Sequence, residues 1–292
     1  MTRSDGTDPA AGADDTPAAP RRRLRGGRDL SAAVGSAVVF AVAFLASAFV
    51  NRWVLLCFVA VVVAIAVLEL DAALRAAKLR PPTMVVLVVG VTMLPAAFVY
   101  GPRGQVTALA VMVLGVVLWS LLDRRDPLPL QSAGGALLIG LWVPFLASFL
   151  ALLLARPDGE WYIIITVALT AASDIAAYAV GYQLGRHKLA PAVSPGKTWE
   201  GAAGGLLAAV VVSGIAAPLL VDRLSVGRAV ALGALVSVVA VLGDLAESAV
   251  KRSLGVKDLG RLLPGHGGMM DRVDAMLFTL PIAHLVLLAG GL

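Results

Sequence analysis

The sequence predicts an all-α fold, a polytopic bundle of helices integral to a membrane. Of its 292 residues, 59% are hydrophobic and only 15% are charged, and the mean hydropathy is +0.88. A soluble domain is about half apolar and about a quarter charged, so a surface with this little charge must face lipid. The basic residues lie in loops between long apolar runs rather than along one polar face. This distribution argues against nucleic acid as the partner of a chain with net charge +5.

Nine apolar runs are long enough, or nearly so, to cross about 30 Å of hydrocarbon as helices. Breaks rich in Pro, Gly and Asn-Arg separate them, and neighbouring helices can accommodate the Gly and Pro residues inside several runs. The eighth helix is expected to be free to continue beyond residue 243. The predicted spans are 30–50, 53–70, 83–100, 106–122, 133–155, 161–181, 200–220, 226–243 and 270–292.

The loop charges predict an orientation. If the N-terminus is cytoplasmic, 19 of the 24 Lys and Arg residues lie on the cytoplasmic side and five lie outside. Cytoplasmic loops carry this kind of excess, so we predict an N-in, C-out topology with an odd number of spans. The two long polar stretches, 182–199 and 244–269, then face the cytoplasm, where nucleotides are available.

Residues 1–28 are predicted to be a disordered tail with a basic end, since this stretch is rich in Ala, Asp, Pro and Thr and contains no apolar run. The run after it is too long for a signal peptide and lacks a small-residue cleavage site, so it is predicted to be the first anchor. Residues 29–292 then form one transmembrane domain. Its single cysteine, Cys57, excludes an intramolecular disulfide and a zinc site built on cysteine pairs.

Asp174 lies toward the cytoplasmic end of the sixth predicted span, with Tyr178 one turn further along the same face. A carboxylate at a helix centre costs about 2.5–3.5 kcal/mol to insert into a membrane, which favours a role in a site. The cost falls near the interface, so a side chain that only reaches headgroup water stays an alternative.

The next loop contains Ser194-Pro-Gly-Lys-Thr198, which looks superficially like a phosphate-binding Walker loop. The first glycine of that motif is missing at the required spacing and no strand is predicted before it, so we reject that assignment. Ser, Lys and Thr donors beside a Pro-Gly turn that leads into a helix at Trp199 or Glu200 would still bind phosphate. A basic loop that binds anionic headgroups is the alternative.

The stretch after the eighth span carries the strongest charge pattern. Four polar residues at i, i+3, i+4 and i+7 share one helix face: Asp244, Glu247, Ser248 and Lys251. Asp271 and Asp274 share another face at the start of the last span. These charges would be costly if they faced lipid, so they are predicted to face one another around a polar cleft. Carboxylates suit Mg²⁺ and basic side chains suit phosphate oxygens.

Three glycines, Gly265, Gly267 and Gly268, would allow the backbone to approach an anion closely. His266 lies among them. It is predicted either to act as a base or phosphate ligand, or to hold the turn through hydrogen bonds.

The polar stretch resembles a known signature. Ser248-Ala-Val-Lys-Arg, four residues, then Lys-Asp-Leu-Gly-Arg-Leu-Leu-Pro-Gly-His-Gly-Gly-Met-Met-Asp-Arg-Val-Asp274 is similar to that of the phosphatidate cytidylyltransferases, or CDP-diacylglycerol synthases. Every fixed position of the signature is filled over 27 residues. Residues 174–178, 181–186 and 194–201 match a second block of the family, although Tyr182 stands where a basic residue is more usual. The resemblance in motifs therefore covers 174–274.

The resemblance implies the reaction CTP + phosphatidic acid → CDP-diacylglycerol + pyrophosphate, in the cell membrane and with the active site facing the cytoplasm. It implies Asp244, Asp271, Lys251 and Asp174 as catalytic residues. Asp244, Asp271 and Asp274 would hold Mg²⁺, and Asp174 would support a second cation or a basic partner. A homodimer is left open. The implied substrate contacts are Ser194, Lys197, Thr198, Arg186, Glu247, Ser248, Arg252, Lys257, His266, Gly267, Gly268 and Arg272.

Two other functions stay open. A CTP-dependent lipid kinase would transfer the γ-phosphate to a lipid alcohol, but the intact 248–274 block argues against it. An ion-coupled transporter would also need carboxylates such as Asp174 and Asp244, yet it would not need the basic loop with His-Gly-Gly, and no internal repeat is visible. A CDP-alcohol phosphotransferase is excluded because its Asp-Gly-x-x-Ala-Arg motif is absent.

Overall fold

The computed structural model describes residues 26–221, 224–256, 258–260 and 267–289. These residues form an all-α bundle, which confirms the predicted fold class, and they add one small hairpin that was not predicted. A single π-helical turn, Leu141–Phe145, separates two of the helices. The elements are α1 (Gly26–Val50), α2 (Arg52–Ala76), α3 (Thr83–Leu122), α4 (Pro129–Gly140), α5 (Leu146–Leu154), α6 (Gly159–Leu184), β1 (Lys188–Ala190), β2 (Ser194–Thr198), α7 (Trp199–Leu220), α8 (Val226–Ser253) and α9 (Met270–Ala289).

Within these described ranges, seven helices are long and apolar enough to cross a membrane, when α4, the π-helical turn and α5 are taken together; α1 carries a shorter apolar stretch, Ala37–Val50. The count of nine spans and the orientation stay predictions. Of the predicted tail, residues 1–25 lie outside the described residues, and residues 26–28 already belong to α1.

Helix α2 continues past the predicted end at residue 70, because its last charged residues have partners. Asp71 accepts hydrogen bonds from Arg75, at 2.7 Å, and from the Thr83 hydroxyl at the start of α3. The other end of α2 is capped by the Asn51 side chain, which accepts the Trp53 backbone N–H at 2.8 Å. Caps of this kind satisfy the free backbone groups at a helix end.

Helix α3 is an antiparallel pair of helices rather than one rod. Gly101 has φ 63° and ψ −149°, a non-helical conformation in a region that essentially only glycine occupies. A Cβ atom on Gly115 would lie 2.7 Å from Val85, although residues 30 positions apart on a straight helix are separated by about 45 Å. The chain therefore reverses at Gly101, between the predicted spans 83–100 and 106–122.

Gly101→Ala is expected to destabilise this reversal by about 1–3 kcal/mol, because a Cβ atom is strained at that φ and ψ. The measurement is the apparent melting temperature of the detergent-solubilised protein. Gly134→Ala is the matched control, since a Cβ atom there meets no atom within 4 Å and lies in a helix, where Ala is preferred to Gly. Equal melting temperatures for the two variants would contradict the assigned conformation of Gly101.

The last four helices pack closely through small residues and buried hydroxyls. Gly205 lies against the backbone of Ser173, and Gly233 lies against the backbone of Ala209, so that neither position has room for a side chain. The Ser173 and Ser237 hydroxyls are 2.8 Å apart across the α6–α8 contact. Small residues and interhelical hydrogen bonds are the usual means of helix association in membranes. This packing brings the C-terminal ends of α6 and α8 beside the N-terminal ends of α7 and α9.

Candidate active site

A cleft of about 780 Å³ lies where these four helix ends meet, with the β1–β2 hairpin as a further wall. Its position follows from chain direction, since α6 and α8 run toward this end of the bundle and α7 and α9 start from it. The cleft brings together nine residues that the sequence had singled out: Asp174, Ser194, Lys197, Thr198, Asp244, Glu247, Lys251, Asp271 and Asp274.

The hairpin wall presents two lysines to the cleft, Lys188 from β1 and Lys197 from β2. Strands β1 and β2 pair antiparallel, with Lys188 opposite Thr198, and the Thr198 hydroxyl accepts the Gly201 N–H at 3.1 Å, which caps α7. The segment expected to be a Pro-Gly turn is therefore a strand, although it leads into a helix at Trp199 as predicted. From β2, the Lys197 ammonium reaches the Asp244 carboxylate at 2.5 Å.

Three carboxylates form an acidic triad in the cleft. One oxygen from each of Asp244, Glu247 and Asp274 lies within 4.8 Å of the other two. Glu247 is 1% exposed and Asp274 is 9% exposed, and Glu247 Oε1 is a buried oxygen without a hydrogen-bond partner in the described part of the chain. Buried carboxylates are retained where they are paired or bind metal, and hard divalent cations take carboxylate oxygens. The triad therefore fits such an ion.

Lys251 joins this triad to Asp271. Its ammonium lies 2.5 Å from Glu247 Oε2 and 2.9 Å from Asp271 Oδ1. The second oxygen of Asp271 accepts the Gly268 N–H at 2.7 Å. The structure thus places Asp271 beside Lys251 and the glycine segment, and it places Glu247 with the two other acids. Direct binding of metal by Asp271 stays a prediction.

The other site residues predicted from the sequence lie on the wall of the cleft, near it, or outside the described residues. Asp174 lines the cleft from α6 and is exposed. Ser248 lies beside the triad, with its hydroxyl 3.4 Å from Asp244 Oδ1, and Arg252 donates to the Val193 carbonyl, next to β2, at 3.4 Å. The residues outside the lining of the cleft are Arg186, Ser248, Arg252, Gly267, Gly268 and Arg272. Lys257 and His266 lie outside the described residues.

Sequence reasoning gave no substrate role to three residues that line the cleft: Tyr178, Tyr182 and Lys188. The two tyrosine rings stack on the surface of α6, with centroids 6.2 Å apart. Their spacing of one helical turn was visible in the sequence, but it does not distinguish a site from an aromatic residue at a membrane interface. Lys188 counted only as a basic loop residue because the hairpin was not predicted.

Glu69 of α2 was also missed. It lies far from the motifs in sequence, yet its carboxylate accepts the Met270 backbone N–H at 2.9 Å, at the start of α9. The one available signal was an acidic residue at the end of an apolar run.

A helix bundle with transmembrane composition, whose cleft holds three clustered carboxylates, three lysines and a capped helix start, defines a membrane protein with a polar site suited to phosphate groups. The comparisons with known proteins give the family: the chain belongs to the Cytidylyltransferase family, whose sequence model matches residues 31–289. The predicted family and the predicted class of enzyme, a nucleotidyltransferase, are thereby confirmed.

Two mycobacterial relatives match nearly the whole chain, and a third relative matches about half of it. A phosphatidate cytidylyltransferase of Mycobacterium bovis is 36% identical over 298 aligned positions, which cover 96% of this chain and 94% of that protein. The protein of the same name from Mycobacterium leprae is 36% identical over 90% of this chain and 89% of its own length. That of Brucella suis is 47% identical over 48% of this chain and 54% of its own length.

Proposed function

We propose that the protein transfers the cytidylyl group of CTP to phosphatidic acid, giving CDP-diacylglycerol and pyrophosphate. The observation that carries the proposal is the cleft itself, in a chain of the Cytidylyltransferase family. It holds an acidic triad with two buried members, Lys251 near the end of α8 and Lys197 on the hairpin. The name that these relatives carry, phosphatidate cytidylyltransferase, agrees with this reaction. The membrane setting also agrees, since one substrate and one product are lipids.

The reaction is a substitution at phosphorus. A phosphate oxygen of phosphatidic acid forms a bond to the α-phosphorus of CTP, and the bond from that phosphorus to the β-phosphate oxygen breaks, so that pyrophosphate leaves with the electron pair. Such reactions depend on positioning and on neutralising charge on the phosphate oxygens. They need no nucleophile from the protein, which fits a cleft built from acids and bases.

We assign the metal site to Asp244, Glu247 and Asp274. A bound Mg²⁺ would supply positive charge to the phosphate oxygens of CTP and to the leaving pyrophosphate. These three side chains would hold the ion, and Lys251 keeps Glu247 in place through its 2.5 Å contact.

We assign phosphate binding to the hairpin side of the cleft. Lys197 is 2.5 Å from Asp244 and its side chain is 21% exposed, so it can exchange this carboxylate for a substrate phosphate. The start of α7 lies beside it, and helix N-termini attract anions. Asp174 supports a basic group or a second cation from α6. The cleft faces the cytoplasm, as the distribution of Lys and Arg residues predicts.

The test uses purified protein in detergent micelles with Mg²⁺ and CTP labelled either in the cytosine ring or in the γ-phosphate. We expect ring label in lipid only when phosphatidic acid is present, and none from the γ-phosphate. The γ-label alone, on an added lipid alcohol, would mean a lipid kinase. No lipid product beside an active known synthase, together with nucleotide-independent ion uptake in proteoliposomes, would favour the transporter.

A further inference from the structure

One buried acid outside the cleft contacts the backbone on which the cleft is built. Glu69 is 8% exposed and lies on α2, in the N-terminal half of the chain. Its Oε2 atom accepts the Met270 N–H at 2.9 Å. Its Oε1 atom is buried and has no hydrogen-bond partner within the ranges that the structure describes. A buried carboxylate oxygen without a partner is costly, so a reason for keeping this acid is needed.

Two glycines lie directly against the Glu69 carboxyl group. A Cβ atom at Gly260 would overlap the Glu69 side chain, which supplies all three of the nearest atoms, and a Cβ atom at Gly268 would meet its carboxyl group as well. Gly260 has no positive φ, so its backbone conformation does not require glycine. An alanine there would instead force the Glu69 side chain to move. The backbone at two positions within the 248–274 signature thus packs around this one side chain.

The same backbone leads to the cleft in two steps. Gly268 donates its N–H to Asp271, and Asp271 pairs with Lys251, the lysine that holds Glu247 of the acidic triad. Met270, which Glu69 binds, is the first residue of α9, the helix that carries Asp271. A carboxylate at this position also stabilises a helix start.

We propose that Glu69 is a positioning residue of the active site: it fixes the backbone at Gly260, Gly268 and Met270, and thereby the orientation of Asp271 toward Lys251. It touches no substrate. The proposal rests on the proposed function, because its test measures cytidylyl transfer. A residue that only supports folding would change the amount of folded protein but not the turnover of the folded fraction.

The test is a double-mutant cycle on cytidylyl transfer, with kcat/KM expressed per monodisperse protein. Gly260→Ala and Glu69→Ala are each expected to lower kcat/KM by about tenfold. In the Glu69→Ala background, adding Gly260→Ala is expected to lower kcat/KM by less than about twofold, because the added methyl group then occupies vacated space. Glu69→Gln, which keeps an acceptor for Met270, is expected to retain more activity than Glu69→Ala.

Asp71→Ala is the matched control. Asp71 is a buried acid on the same helix, 7% exposed, and it bonds to Arg75 and Thr83 rather than to the signature segment. Gly260→Ala should lower kcat/KM by the same factor with and without Asp71→Ala.

Two results would overturn the proposal. One is that Gly260→Ala lowers kcat/KM by the same factor with and without Glu69, and the other is an unchanged kcat/KM in folded Glu69→Ala. If Glu69→Ala does not fold, Glu69→Gln is used in its place. Full activity in both Glu69→Gln and Gly260→Ala would then overturn the proposal. An inactive wild-type protein would instead refute the proposed function.

Discussion

Asp274→Asn is expected to lower kcat for cytidylyl transfer by a factor on the order of 10³, as removal of a group that stabilises transition-state charge does. Asp274 is the one member of the acidic triad that α9 supplies, while Asp244 and Glu247 both belong to α8. The amide keeps the shape of the side chain but removes the negative charge that a divalent cation requires. The assay follows kcat over a range of Mg²⁺ concentrations, per monodisperse protein.

The matched control for this variant is Asp71→Asn, because Asp71 is also buried, at 7% exposed against 9% for Asp274, and does not line the cleft. The control should lower thermal stability and leave kcat within about twofold, as expected for a residue remote from the chemistry. Near-normal kcat for Asp274→Asn at saturating Mg²⁺ would remove this residue from the metal site.

Lys251→Met is expected to have a large effect on stability as well as on activity. The lysine side chain is 16% exposed and lies between two carboxylates whose side chains are 2% and 10% exposed, those of Glu247 and Asp271. Removing one partner of a buried ion pair costs about 3–5 kcal/mol, since the remaining charge is left without compensation. Methionine keeps most of the apolar volume, so the loss reports the charge. The measurements are the apparent melting temperature in detergent and kcat.

A second substitution separates the two effects of Lys251→Met. Adding Glu247→Gln removes one of the uncompensated charges, so the double variant is expected to melt above Lys251→Met. Its kcat is expected to be no higher than that of Lys251→Met, because a triad ligand is now missing. An unchanged melting temperature in Lys251→Met, or a double variant that melts below it, would contradict the assigned ion pairs.

The sequence predicted the elements that local patterns determine. The spacing of Asp244, Glu247 and Lys251 placed them on one face of a helix, and the structure has all three on the wall of the cleft. The break at Gly101 separated two predicted spans, and the structure has a chain reversal there. Hydrophobic periodicity, helix-breaking glycines and helical spacing involve only residues that are close in sequence. They can therefore be recognised before the fold is known.

The features that could not be predicted from the sequence depend on contacts between segments that are distant in the chain. Strand β2 contains Pro and Gly, which disfavour strands, and its pairing with β1 depends on how α6 and α7 meet. On α9, Asp271 and Asp274 are three residues apart, and only the rotation of the helix against α8 decides which of them meets Lys251. Glu69 reaches a backbone about 200 residues away in the chain, and no motif marks it.

The most direct measurement on the site is an anomalous-scattering map from crystals grown with Mn²⁺ in place of Mg²⁺, together with CTP. Mn²⁺ takes the same oxygen ligands as Mg²⁺. We predict a peak in contact with oxygens of Asp244, Glu247 and Asp274, next to the CTP phosphates. A CTP-bound structure whose Mn²⁺ peak touches none of these three carboxylates would contradict the proposed site.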